Sequence, residues 1–102
     1  MVNPEIIAYA MQLRQAQVRA KDRDDYLIPN RFNLLLFLAD EQAHSYEELR
    51  HLIGVYNPSS FSQTIMPLQK RKYITIKRTK LKGSARITQS GKDLVDYAFS
   101  EK

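Results

Sequence analysis

The sequence predicts a mainly α-helical domain with one small β-hairpin (α+β), and three observations lead to this fold class. Helix-start signals recur at Asn3, Ser45 and Asn57. Apolar residues follow each of these starts at helical spacing. Only between residues 73 and 88 do apolar and polar residues alternate, as they do in half-buried strands. A chain of 102 residues that is 43% hydrophobic and 26% charged has the size and composition of a single domain.

The first helix should begin after Asn3, because a capping side chain is followed there by Pro4 and Glu5, which suit a first helical turn. Its small and apolar residues form one stripe with neighbours beside it: Ile6, Ala10, Leu13, Ala16 and Ala20, flanked by Ile7, Met11 and Val18. A charged cluster at residues 22–25 ends the pattern. We expect residues 1–24 to contribute to a dimer interface, with packing on the same chain as the alternative.

The central helices are expected within residues 29–88. Pro29 is placed to open a helix that is apolar almost all round, from Phe32 to Ala39, and therefore buried. Ser45 and Glu48 fit a capping box at the start of a short helix. Gly54 is expected to end that helix in the left-handed conformation.

A further helix is predicted over residues 57–72, because Asn57 and Pro58 repeat the cap-then-proline start. Phe61 and Ile65 lie on the face that packs inward, whereas the opposite face is small and polar near its start and cationic near its end. Pro67 removes one backbone hydrogen bond and should kink the helix or loosen its last turn.

A basic hairpin should follow, with alternation around Ile76 in its first strand and around Ala85 in its second. Gly83 is able to take the positive φ that a hairpin tip needs. Thr88 or Ser90 then caps a C-terminal helix over residues 88–101.

Charge is distributed unevenly along the chain. Residues 1–56 carry six Lys or Arg against eight Asp or Glu, whereas residues 57–102 carry ten against three. From Asn57 to Lys92 there are nine cations and no carboxylate. Such a block suits a polyanionic partner, and a merely solvated basic face is the alternative.

Several classes of function are disfavoured by composition. The absence of Cys excludes a disulfide scaffold, a thiolate metal site and a cysteine nucleophile. The longest apolar run is six residues, against roughly 20 for a membrane span, so we expect a soluble cytoplasmic protein. His44 and His51 are the only histidines, and neighbouring ligands for zinc are lacking. With no phosphate-binding loop or nucleophile motif, no enzyme, metal or cofactor is expected.

The order of these elements resembles a winged helix-turn-helix domain with extra N-terminal and C-terminal helices. Residues 57–74 look like the recognition helix and its exit in multiple-antibiotic-resistance-regulator (MarR) type repressors and their archaeal, phage and plasmid relatives. Residues 86–92 resemble the segment that closes the wing in that group. This sequence has Lys72 where those proteins commonly carry a glycine, and it places Pro67 inside the recognition helix.

The resemblance implies sequence-dependent binding of double-stranded DNA by a homodimer that regulates transcription, with the dimer formed through the N-terminal helix, the C-terminal helix or both. The recognition helix would enter the major groove, and the basic wing, residues 77–86, would follow the backbone or minor groove. Half-sites would then lie one DNA turn apart.

The resemblance also implies roles for individual side chains. Ser59, Ser60 and Gln63 would face base edges or nearby phosphates, and Met66 a thymine methyl group. The cations of the helix end and the wing would contact phosphates or the minor groove: Lys70, Lys77, Arg78, Lys80, Lys82 and Arg86. Ser45 and Tyr46 would donate to a phosphate from a helix start.

Other functions remain open at this point. A winged helix can bind an acidic protein instead of DNA, and the same basic face can serve an architectural or plasmid-partition protein. Single-stranded RNA is disfavoured, because Phe61 and Tyr73 are the only aromatic residues in the basic block.

Overall fold

The computed structural model describes residues 3–79 and 82–100. The elements in chain order are α1 (Pro4–Arg23), α2 (Pro29–Leu38), β1 (His44–Ser45), α3 (Tyr46–Ile53), α4 (Pro58–Lys70), β2 (Ile74–Arg78), β3 (Gly83–Ile87) and α5 (Gln89–Phe99). The predicted fold class is confirmed: helices dominate, and β2 and β3 form the expected hairpin, with α1 and α5 as the additional terminal helices.

The predicted helix caps are all present. The Asn3 side chain accepts a hydrogen bond from the Glu5 amide. At the start of α3, the Ser45 side chain accepts from the amide of Glu48, whose own side chain binds the Ser45 amide, which completes the capping box. Thr88, rather than Ser90, caps α5. These starts form because each cap satisfies amides within three residues of it.

The sheet has three strands in the order β1-β3-β2, all antiparallel. In the hairpin, Ile76 of β2 lies opposite Ala85 of β3, and on the other side Ala85 pairs with His44 of β1. The sequence did not predict β1, because two residues are too few to show alternation. Its pairing fixes the start of α3 against the second strand of the wing.

Gly83 does not have the conformation that was predicted for it. Of the described glycines, Gly54 alone has a positive φ, at 69°, and it ends α3 as expected. Gly83 begins β3, opposite Arg78. A Cβ atom at position 83 would lie 2.6 Å from the ring of Tyr46. Close packing against that ring, and not turn geometry, is what requires glycine here.

The helix that the sequence predicts over residues 57–72 is shorter in the structure. It ends at Lys70 with Arg71 as its C-cap, so the predicted bounds of residues 57–72 are two residues too long. Lys72 lies beyond the end of the helix; it is exposed and has φ 66°, in the left-handed region. A glycine adopts this conformation without strain, whereas a residue with a Cβ atom does not.

The buried core is formed by α2, α4, α5 and the sheet, with Leu49 from α3. α1 packs chiefly on α5, and it buries only Ala16 and Ala20, with Leu13 partly covered. Its first half, residues 4–12, is exposed along its whole length. Within residues 3–79 and 82–100, no helix combines the length and the apolar character that crossing a bilayer demands.

Candidate nucleic-acid interface

The outer face of α4 is polar and exposed. Phe61, Ile65 and Leu68 are buried, as predicted. On the other side the exposed residues are Ser59, Ser60, Gln63 and Lys70, which we call the outer face of α4. The Asn57 side chain accepts from the amides of Ser59 and Ser60, at 2.9 and 3.2 Å. The cap satisfies those amides without using either serine hydroxyl.

Met66 lies differently from this group. It is half-buried and packs against the hydrophobic core. A side chain held in this way offers little surface to a thymine methyl group. Its placement therefore favours a packing role over the predicted base contact.

The cations from the end of α4 onward fall into two groups, and those of the first group already bind acceptors within the protein. Nε of Arg71 lies 2.9 Å from Oδ2 of Asp24, and Nζ of Lys92 lies 2.5 Å from Oε1 of Glu41. The Nε of Arg86 donates to the carbonyl oxygen of Glu41 at 2.8 Å. Arg71 and Lys92 are thus paired with carboxylates, whereas Arg86 keeps its charge and its remaining donors.

The Asp24 carboxylate is held charged by several donors. Its partial burial would raise its pKa, but hydrogen bonds from the Tyr26 amide, the Tyr73 hydroxyl and Arg71 outweigh that effect and lower the pKa below 3.8. Burial and the hydrogen bond to this carboxylate raise the pKa of Tyr73 to about 12. Tyr73 is therefore a fixed hydrogen-bond donor at neutral pH.

The second group of cations is free of such partners. Lys77, Arg78 and Lys82 of the wing are exposed, and none of them forms an ion pair within the described part of the chain. Thr79 closes the hairpin: its amide donates to the carbonyl oxygen of Lys82 at 2.7 Å. Lys80, which was also predicted to contact DNA, lies outside the described residues.

A cleft of about 420 Å³ separates the start of α3 from the wing. Its walls are Ser45, Tyr46, Glu47, Arg50, Arg78, Thr79, Lys82 and Gly83. Three cations therefore share the cleft with one carboxylate. Arg50 was not among the predicted site residues, because only the fold brings it close to the wing; its guanidinium carbon lies 5.9 Å from the centre of the Phe61 ring.

Ser45 and Tyr46 line the cleft, but neither presents a free hydroxyl group to it. The Ser45 hydroxyl accepts from the Glu48 amide at 3.1 Å and lies 3.3 Å from its carboxylate, so its single hydrogen has an acceptor. The Tyr46 ring packs edge-on against Phe61, 5.1 Å between centroids. The Tyr46 hydroxyl is buried and has no hydrogen-bond partner among the described residues. This geometry favours capping and packing over the predicted phosphate contacts.

The sequence also did not predict that His44, next to the cleft, contacts two carboxylates; we call these three residues the histidine cluster. Nε2 of His44 lies 2.7 Å from an oxygen of Asp40, and Nδ1 lies 3.1 Å from an oxygen of Glu48. Only the imidazolium can donate from both nitrogens. Burial opposes its charge, but these hydrogen bonds prevail and raise the pKa of His44 above 6.5. In residues 3–79 and 82–100, no three His, Asp or Glu side chains are grouped to hold a metal ion.

The arrangement of helices and strands is similar to that of several solved structures. No family model and no curated protein matches the sequence. Among solved structures, Rv1404 from Mycobacterium tuberculosis matches 91% of this chain, with a TM-score of 0.69 and 19% identity. MepR, a transcription regulator of a Staphylococcus aureus multidrug efflux pump, matches 92% of the chain, with a TM-score of 0.67 and 15% identity. A MarR transcriptional regulator from Methanosarcina mazei matches 96% of the chain, with a TM-score of 0.61 and 20% identity.

The chain spans 65%, 69% and 72% of the length of these three proteins. In each case the similarity covers more than nine-tenths of this chain, so it is not confined to the central helices and the hairpin. The resemblance noted in the sequence is thereby confirmed at the level of structure. The chain has the winged-helix fold of the MarR-type transcriptional regulators.

Proposed function

We propose that this protein binds double-stranded DNA in a sequence-dependent manner, as a homodimer, and regulates transcription. The observation that carries the proposal is the exposed polar face of α4 beside three wing cations, Lys77, Arg78 and Lys82, that form no ion pair in the described chain. The solved structures of similar fold include proteins described as transcription regulators, which supports the proposal.

In this proposal α4 enters the major groove. Gln63 is exposed at the middle of the outer face, and its amide is able to donate to and accept from an adenine edge. Ser59 and Ser60 lie one turn earlier with hydroxyls that the cap leaves unused. Lys70, at the end of the helix, meets the phosphates that flank the groove.

The wing and the cleft bind the DNA backbone. Lys77, Arg78 and Lys82 contact phosphates or the narrow minor groove, and Lys80 between them belongs to the same proposed set. The cleft adds Arg50, so a phosphate seated there faces three cations. Arg86 keeps donors for a phosphate beyond its bond to Glu41.

The first half of α1 pairs with a second copy of the chain. Ile6 and Met11 are 62% and 61% exposed, and Ile7 and Tyr9 beside them are also exposed. A helical segment of this length is only marginally stable in water without tertiary contacts. Burying these side chains against the same helix of a partner supplies those contacts and gives the two-fold symmetry that a palindromic site needs.

Selection of bound duplexes from a random DNA pool tests the proposal. We expect enrichment of a palindrome whose half-sites lie about one DNA turn, roughly 34 Å, apart. Gln63→Ala should change the preferred bases, whereas Lys77→Ala and Lys82→Ala should weaken binding to all duplexes and lower the salt slope by about one unit per lost phosphate contact. Lys21→Ala, an exposed cation of α1, is the matched control and should leave the slope unchanged.

The two other functions predict different outcomes. Binding at low salt without any enriched motif would indicate an architectural or partition role instead of sequence recognition. Absence of DNA binding at every salt concentration would contradict the proposal and would favour a protein partner for the same basic surface.

A further inference from the structure

The recognition helix contains a proline in its interior, and the structure shows how the resulting gap is filled. Pro67 has no amide hydrogen, so the carbonyl oxygen of Gln63, four residues earlier, lacks its usual helical donor. The hydroxyl of Tyr26 lies 3.0 Å from this oxygen and 2.8 Å from the carbonyl oxygen of Thr64. A side chain from the loop between α1 and α2 thus shares its one hydroxyl hydrogen between these two neighbouring carbonyls, and so gives the Gln63 carbonyl a donor that α4 cannot provide.

Tyr26 is itself held at several points. Its ring lies between two guanidinium groups, with Arg31 at 3.9 Å and Arg71 at 4.4 Å from the ring centre. Its amide donates to Asp24 at 3.0 Å, and its carbonyl oxygen accepts from Arg31 at 3.0 Å. Asp24 in turn accepts from Arg71 and from Tyr73, at 2.9 Å each. The position of the hydroxyl is therefore defined by the surrounding structure.

We infer that Tyr26 is a positioning residue for DNA recognition: its hydroxyl replaces the hydrogen bond that Pro67 removes and fixes the turn of α4 that carries Gln63. The inference rests on the proposed function, in which Gln63 contacts bases. The link is direct, because of the two carbonyls that share the Tyr26 hydrogen one belongs to Gln63 itself and the other to Thr64, the next residue. A shift of this turn displaces the Gln63 side chain, and hydrogen bonds to base edges depend strongly on distance and angle.

Tyr26→Phe is the test, because it keeps the ring and both guanidinium contacts and removes only the hydroxyl. We expect the ratio of affinities for the selected site and for a scrambled duplex to fall about three- to tenfold, the loss typical of one hydrogen bond. Pro67→Ala restores an amide donor for Gln63. In the Pro67→Ala background, Tyr26→Phe should therefore change the ratio by less than about twofold.

Tyr97→Phe is the matched control. It also removes one phenol hydroxyl, but Tyr97 is an exposed residue of α5 whose ring contacts Arg23, outside the network around Asp24 and Tyr26. We expect it to leave discrimination unchanged in both backgrounds. Unchanged discrimination in Tyr26→Phe, or an equal loss in both backgrounds, would overturn the inference.

Amide hydrogen exchange gives a second readout that does not depend on DNA. Tyr26→Phe should increase exchange at the amides of the last two turns of α4, and Pro67→Ala should reverse the increase. If the wild-type protein shows no sequence preference, the proposed function fails, and with it the recognition role of Tyr26. Normal preference combined with unchanged exchange and discrimination would contradict the inference alone.

Discussion

Lys72→Gly should stabilise the protein, although it removes a whole side chain. Lys72 has φ 66°, a left-handed conformation that costs a residue with a Cβ atom about 1–2 kcal/mol. Glycine avoids this strain but loses about 0.5–1 kcal/mol through its greater freedom in the unfolded chain. The difference is a net gain of about 0.5–1 kcal/mol in the free energy of unfolding. For a domain of this size that raises Tm by roughly 2–8 °C.

The backbone contacts at this position survive the change. The amide of Lys72 donates to the Gln69 carbonyl at 2.9 Å, and its carbonyl oxygen accepts from the Thr88 hydroxyl. The Lys72 side chain is exposed, so little packing is lost. Urea and thermal unfolding followed by circular dichroism measure the effect, and Lys72→Ala, which keeps the Cβ atom, should show no gain.

Gly54→Ala provides the mirror experiment. Gly54 has nearly the same φ, 69°, and a Cβ atom there would meet nothing within 4 Å. Its substitution should therefore cost the same backbone strain, a net loss of about 0.5–1 kcal/mol. If Gly54→Ala destabilises as expected while Lys72→Gly gives no gain, strain at position 72 is compensated locally and the predicted stabilisation is wrong.

Three further predictions concern the wing, the histidine cluster and the dimer. Gly83→Ala should cost about 1–3 kcal/mol by overpacking against Tyr46, and the cost should fall in a Tyr46→Leu background; equal unfolding curves would contradict it. Because the pKa of His44 is raised in the folded protein, the stabilising contribution of this residue is full below about pH 6.5 and is lost as the pH rises through the folded-state pKa. In urea unfolding, His44→Gln should therefore lower stability more at about pH 6 than at about pH 8.5. An equal loss at both pH values would contradict this prediction. Met11→Glu should reduce the sedimenting species from two chains to one, whereas Gln12→Glu should not, and an unchanged mass for both would place the interface elsewhere.

Local features of the fold could be predicted from the sequence because their causes are local. The cap of Asn3 and the capping box of Ser45 each act on amides within three residues. β1 could not be predicted, since its two residues form a strand only by pairing with residues 84 and 85, about forty positions away in the chain. The reason for a glycine at position 83 was predicted wrongly on the same ground, because the ring that it packs against belongs to Tyr46, which lies far away in the sequence.

For the candidate site, composition indicated the basic surface but not which charges remain available. Arg71 is neutralised by Asp24, 47 residues away, and Lys92 by Glu41, 51 residues away. Arg50 was overlooked because it lies outside the basic block and reaches the wing only in the folded chain. A run of like charges in the sequence therefore overestimates the number of charges available to a partner, because some of them are paired in the folded protein.

Pro67 and Lys72 lie within six residues of each other, around the end of α4. Each weakens that end in isolation: Pro67 removes a hydrogen bond, and Lys72 takes a strained conformation. What holds the end in place is the contact with residues 24–26, through Tyr26 to the carbonyls of α4 and through Asp24 to Arg71. The orientation of α4 thus depends on the segment that follows α1, the helix proposed to form the dimer. Any change that moves this segment therefore acts on the surface proposed to recognise DNA.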